Sequence, residues 1–212
     1  MRTPSTWRKV CALLIAFFFI AQTSALAAES QRTVLVMGDS LSAAYGLSPE
    51  QGWVALLGQR LGETRPGWRV VNASVSGETT GGGAARFPRT LEEHAPDIVI
   101  LELGANDALR GLPLQPAQAN LQRIIDAAHA ANARVLLVGI EIPPNYGPEY
   151  ANAFRAMFAT LAHENDLAFI PFLLEPIATD LSAFLPDTIH PTAESQPKVL
   201  EHVWQTLEPM LQ

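Results

Sequence analysis

Five short apolar runs alternate along this chain with segments of helical periodicity, and that alternation narrows the fold sharply. The runs cover residues 33–37, 69–73, 97–103, 134–140 and 167–172. Residues 116–132, 150–165 and 193–211 carry apolar positions at three- and four-residue spacing. In the first of these, Leu121, Ile124, Ile125 and Ala128 share one face, with Gln118, Gln122 and Arg123 between them. Strands that are apolar throughout need cover on both faces, and helices between them supply it. The pattern predicts an α/β fold with a parallel sheet between helix layers. Such a sheet binds ligands beyond the carboxyl ends of its strands.

Those strand ends are where the polar residues gather. The first run leads into Gly38-Asp39-Ser40-Leu41-Ser42, the second into Ser74-Val75-Ser76-Gly77-Glu78-Thr79, and the third into Gly104-Ala105-Asn106-Asp107. A later segment, Asp187-Thr188-Ile189-His190-Pro191, sets a carboxylate three residues before a histidine. A serine that meets a carboxylate-oriented histidine is the machinery of acyl transfer. Ser40 is the expected nucleophile, at the passage from a strand into a helix whose N-terminus favours negative charge. His190 is the expected base and Asp187 its orienting partner. The backbone N–H groups of Ser40 and Gly77 and the amide of Asn106 are the expected oxyanion donors. Taken singly, each signal is weak: Gly-Asp-Ser is a common turn and helix cap, and Asn106-Asp107 could cap the next turn.

The first residues read as a separate, removable segment. Arg2, Arg8 and Lys9 precede a short apolar run at residues 10–20, and Ala25-Leu26-Ala27 follows with small residues at a cleavage position. This is the pattern of a secretory signal peptide over residues 1–27, leaving a single domain over 28–212. The run is short for a bilayer span, so no stable membrane insertion is expected, and the mature protein is placed in a bacterial periplasm or the medium. Removing those three from the 14 Lys and Arg leaves 11 against 21 Asp and Glu. So acidic a domain argues against nucleic acid or an anionic membrane surface as partner. The one cysteine, Cys11, falls in the leader.

Other chemistry finds little footing. His163-Glu164 opens like a zinc-protease motif, but Leu167 stands where the second histidine would be, and no metal site is expected. There is no phosphate-binding Gly-x-x-x-x-Gly-Lys loop. Gly81-Gly82-Gly83 lacks the dinucleotide fingerprint and reads as a flexible turn. Gly-x-Ser-x-Gly is absent, because Ser42 closes the first block. His94, His129 and His202 read as surface residues.

On the four blocks around Ser40, Gly77, Asn106 and His190, the chain resembles the GDSL, or SGNH, hydrolases across the whole region after the leader. Ser42-Ala43-Ala44-Tyr45-Gly46, Leu109-Arg110-Gly111 and Pro143-Pro144-Asn145-Tyr146-Gly147 are similar to its periplasmic esterase/thioesterase/lysophospholipase subgroup. The resemblance implies a flavodoxin-like three-layer α/β/α sandwich, strand order 2-1-3-4-5, and hydrolysis of esters and thioesters without metal or cofactor. Ala105 and Thr188 depart from it, standing where relatives often have glycine.

These readings converge on a secreted, monomeric serine esterase acting on aryl and short-to-medium acyl esters through an acyl-enzyme. Thioesters and lysophospholipids are further expected substrates. Leu109, Leu112, Leu114, Pro143 and Tyr146 are the expected acyl-groove residues, with plain loop packing as their alternative role. An esterase for acetylated sugars and a non-catalytic binding module are the competing functions.

Overall fold

The computed structural model describes residues 31–212, so the leader read over residues 1–27 lies outside the described residues. Five parallel strands form one sheet: β1 (Arg32–Gly38), β2 (Trp68–Asn72), β3 (Ile98–Glu102), β4 (Arg134–Val138) and β5 (Ala168–Ile170). Their order is β2-β1-β3-β4-β5, as the resemblance implied. Val34, Leu35, Val36 and Met37 of β1 and Ile98, Val99, Ile100 and Leu101 of β3 are all fully buried. Burial of successive residues, which point to opposite faces, shows that both faces are covered.

The described residues include six α-helices, all of which cover the sheet except the short α3: α1 (Trp53–Thr64), α2 (Thr80–His94), α3 (Ala105–Leu109), α4 (Leu114–Ala130), α5 (Pro148–Glu164) and α6 (Gln196–Leu207). α1 and α6 pack together on one face, and α2, α4 and α5 on the other. α4 presents Leu121, Ile124, Ile125 and Ala128 to the sheet, and α6 presents Val199, Val203 and Leu207. The chain leaves β1 towards β2 on one side, while β3 pairs on the other side of β1. The loops after β1 and β3 therefore part company and open a crevice between them.

The sequence pattern did not disclose α1 or α2. Gly81-Gly82-Gly83 is the first turn of α2 and not a flexible turn. Glycine disfavours helix, but here the start is fixed from outside. The Thr79 hydroxyl accepts from Gly82 N–H, and the Asp107 carboxylate accepts from Thr80 N–H at 2.8 Å and from its hydroxyl at 2.7 Å. Asp107 thus caps α2 from its place on α3. Gly83 is required by packing, since a Cβ there would collide with Leu103.

Gly38 makes a second close approach. A Cβ at this position would lie 2.6 Å from the Glu102 Oε2 and 2.8 Å from the Ser42 side chain. Gly38→Ala is expected to destabilise the fold by about 1–3 kcal/mol, as overpacking of a buried site does. Gly62, on the open surface of α1 with nothing within 4 Å, should gain about 0.5–1 kcal/mol on substitution by alanine. Urea unfolding of the two variants checks the opposite signs.

Candidate active site

The three residues singled out from the first and last blocks meet at the carboxyl edge of the sheet. His190 Nε2 lies 2.9 Å from Ser40 Oγ, and His190 Nδ1 lies 2.8 Å from Asp187 Oδ2. Asp187 Oδ1 accepts from the backbone N–H groups of Ile189 and His190 at 2.9 and 3.0 Å. The carboxylate thereby fixes both its own loop and the imidazole. Partial burial pushes the Asp187 carboxyl up, but those two N–H groups and the His190 ring outweigh it and hold it down at about 2. It is a carboxylate at any pH where the protein would work.

Ser40 does not open a regular helix, contrary to expectation. It sits in an isolated turn in which Ala43 N–H donates to Asp39 O at 2.9 Å and Tyr45 N–H to Ser40 O at 3.2 Å. Ala44 at φ 58° and Gly46 at φ 76° end the turn before a helix can propagate. No helix N-terminus is therefore available to Ser40.

The floor of the turn is acidic and buried. β1 and β3 pair with Gly38 opposite Glu102. The fully buried Glu102 Oε2 accepts from the Ser42 hydroxyl at 2.6 Å and the Asp39 N–H at 3.3 Å, while its Oε1 has no partner among the described residues. Burial, and then the charge on Asp39, push this carboxyl well above the ordinary glutamate range. Asp39 is buried as well. Its Oδ1 accepts from Leu41 N–H at 3.0 Å, and its Oδ2 from Asn106 Nδ2 at 3.1 Å. Burial raises the Asp39 carboxyl to about 6 in spite of these two bonds.

Asn106 thus has one amide hydrogen committed to Asp39 and one without a partner among the described residues. Gly77 adopts φ 80°, and its carbonyl accepts from Arg110 Nη2 at 3.0 Å. The N–H groups of Ser40 and Gly77 donate to no protein acceptor among the described residues.

A cavity of about 350 Å³ adjoins Ser40 and His190. Of the expected groove residues, Leu109 and Pro143 line it, whereas Leu112, Leu114 and Tyr146 do not. Leu112 is exposed, Leu114 packs partly against the core, and Tyr146 borders a separate, more open cavity with Tyr150. Larger apolar side chains of the wall include Ile140, Ile142, Phe172, Leu174, Phe184 and Ile189. These residues were not singled out from the sequence, although four of them follow the ends of β4 and β5. Thr188 also lines the cavity, in the left-handed region at φ 59°. A glycine would occupy that conformation without strain, but a β-branched residue does not. His202 is half-buried against the Phe172 carbonyl at 3.0 Å, not a surface residue. Among the described residues, no three His, Cys, Asp or Glu side chains gather as a metal site would need.

A profile of the GDSL-like lipase/acylhydrolase family matches residues 36–196. Esterase TesA of Pseudomonas aeruginosa is 48% identical over 180 residues, covering 85% of this chain and 90% of that protein. Arylesterase of Vibrio mimicus is 40% identical, covering 92% and 95%. Thioesterase 1/protease 1/lysophospholipase L1 of Escherichia coli K12 is 38% identical, covering 93% of each. A crystal structure of TesA superposes with a TM-score of 0.82 at 47% identity, over 84% of this chain and 99% of that one.

The buried Asp39 carboxyl has a measurable signature. Its folded-state value, about 6, exceeds the ordinary 3.8. The stability it allows is present below the ordinary value and is lost as pH rises through about 6. Asp39→Asn removes that loss. Relative to the wild type, the variant is expected to improve by up to about 3 kcal/mol as pH rises from 3.8 through about 6, from a starting deficit in acid set by the amide N–H it turns toward the Asn106 donor. Urea unfolding across this pH range measures the difference.

Proposed function

Because this chain belongs to the GDSL-like lipase/acylhydrolase family, we propose that its ester hydrolysis runs through an acyl-enzyme on Ser40. The observation that carries this reading is the unbroken contact from Asp187 through His190 to Ser40, at 2.8 and 2.9 Å, beside an apolar cavity. His190 takes the Ser40 proton through Nε2 as Oγ bonds to the acyl carbon, then returns it to the departing oxygen or sulfur. A water molecule repeats the sequence to release the acid. Asp187 keeps a proton on Nδ1 and stabilises the imidazolium. The Ser40 and Gly77 N–H groups and the second amide hydrogen of Asn106 receive the oxyanion, which is supported by their lack of other partners among the described residues.

The acyl chain lies along Leu109, Ile142, Pro143, Phe172 and Phe184. Each methylene set against such a wall adds about 0.8 kcal/mol, so the site grades chain lengths and does not select one. Aryl and short-to-medium acyl esters are the main substrates, with thioesters and lysophospholipids accepted too. The names of the arylesterase and thioesterase/lysophospholipase relatives support that range. Residues 1–27 act as an export signal removed after Ala27, which places the enzyme in the periplasm or outside the cell. Among the described residues, no helix is long and apolar enough to cross a membrane.

A fluorophosphonate probe followed by mass spectrometry of the labelled peptide tests the nucleophile. Labelling is expected at Ser40 in the folded wild type and absent in Ser40→Ala, which should keep its circular dichroism but lose turnover. Turnover of Ser40→Ala above the uncatalysed rate would remove Ser40 from the role. Asp187→Asn is expected to lower kcat by about 10⁴-fold. The intact mass of protein recovered from the periplasm of a bacterial host should begin at Ala28.

A further inference from the structure

Tyr45 is an aromatic residue that stays 51% exposed and is nevertheless held in place. Both its neighbours are left-handed, and its N–H donates to the Ser40 carbonyl. The turn has no slack behind it. A Cβ on Gly52 would lie 2.7 Å from the Ala44 Cβ, and one on Gly46 would lie 2.6 Å from Leu185. Leu185 N–H donates in turn to the His190 carbonyl at 2.7 Å. The turn that carries Ser40 therefore packs against the loop that carries His190. Across that contact the Tyr45 ring covers the imidazole, with centroids 4.4 Å apart and planes tilted by 37°.

Half-exposed burial is a weak reason to keep a tyrosine so placed, and the electrostatics of the stack supply a stronger one. The two imidazole nitrogens are engaged in the ring plane by Asp187 and Ser40, leaving the ring faces free. An aromatic face attracts a cation through its quadrupole and a neutral ring much less. On the reading that His190 is the base, positive charge appears there only as the Ser40 proton moves. A partner that favours the charged ring acts more on the transition state than on the bound substrate, and so raises kcat and leaves KM alone.

We propose that Tyr45 is a positioning residue of this site: its ring holds the His190 imidazole in line with Asp187 and Ser40 and stabilises the imidazolium formed when the serine proton is taken up. The charged groups facing His190 are Asp187 from its own loop and Asp39 from the β1 turn, and Glu141 lines the same cavity. All are untouched by substitution at Tyr45.

Tyr45→Phe and Tyr45→Leu are compared with the wild type for hydrolysis of phenyl acetate across the histidine titration range. Tyr45→Phe is expected to keep both the rate and the acid limb of the kcat/KM profile. Tyr45→Leu should lower kcat about two- to five-fold at unchanged KM. It should also move the acid limb down by about half a pH unit. The low-field proton resonance of His190 Nδ1–H should stay in place, showing that the Asp187 contact survives. A Tyr45→Leu enzyme with the wild-type kcat and acid limb overturns the proposal. So does a lowered kcat with an unmoved limb, which would mean mechanical support only, or a Tyr45→Phe enzyme as impaired as Tyr45→Leu. His190→Ala separates the two levels. If it retains turnover, His190 is not the base and the stack loses its purpose. If it is inactive while Tyr45→Leu is unaffected, only the stack fails.

Discussion

The site depends on the pairing of β1 with β3, and above all on the register that sets Gly38 opposite Glu102. With no side chain at Gly38, the Glu102 carboxyl reaches beneath the next turn and accepts from two points that flank Ser40, the Asp39 N–H and the Ser42 hydroxyl. Ser40 is held between those two points. Asp39 then carries the same restraint sideways to Asn106 on α3. Two buried carboxyls, one with an oxygen unpartnered among the described residues, are unfavourable taken alone. They sit at the end of fully buried apolar strands, where the packing of β1 and β3 offsets them. The first and third sequence blocks are thus two sides of one polar floor.

Much of this was legible in the sequence, and the physical reason is specific. The five strands are near-continuous apolar runs, and the polar residues at their ends have no reason to cluster there unless the ends meet at a site. That pattern made Ser40, Gly77 and Asn106 candidates, while Asp187 and His190 stood out by their own three-residue spacing. Element bounds were less sharp: the last run, read over 167–172, pairs only at Ala168–Ile170. α2 escaped notice because three glycines suppress its local propensity, and its start is fixed by Asp107, distant in sequence.

The apolar wall of the cavity beside Ser40 was the least legible part. Ile140, Ile142, Phe172, Leu174 and Phe184 carry no mark beyond being apolar, and most apolar residues here belong to the core. Only the direction in which each strand delivers the chain separates the two roles. Leu112, Leu114 and Tyr146 were plausible on loop membership, but the backbone turns them elsewhere. Tyr146 and Tyr150 instead bond through their hydroxyls to the Leu109 and Leu112 carbonyls, tying one rim loop to the next. Glu102 was visible as an acid within an apolar run, but its meaning lies in the register and not in the run.

The two ends of the Ser40–His190 contact are mounted very differently. Ser40 hangs from a central strand and is restrained from below. His190 arrives on a long irregular stretch after the three-residue β5, two residues beyond Thr188, whose left-handed backbone strains a β-branched side chain by about 1–2 kcal/mol. That stretch is nevertheless anchored, because Leu173, Ile177 and Ala183 within it are buried in the core and the Thr192 N–H donates to the Ala183 carbonyl. The serine is therefore placed by strand register, and the histidine by side-chain packing well beyond the last strand.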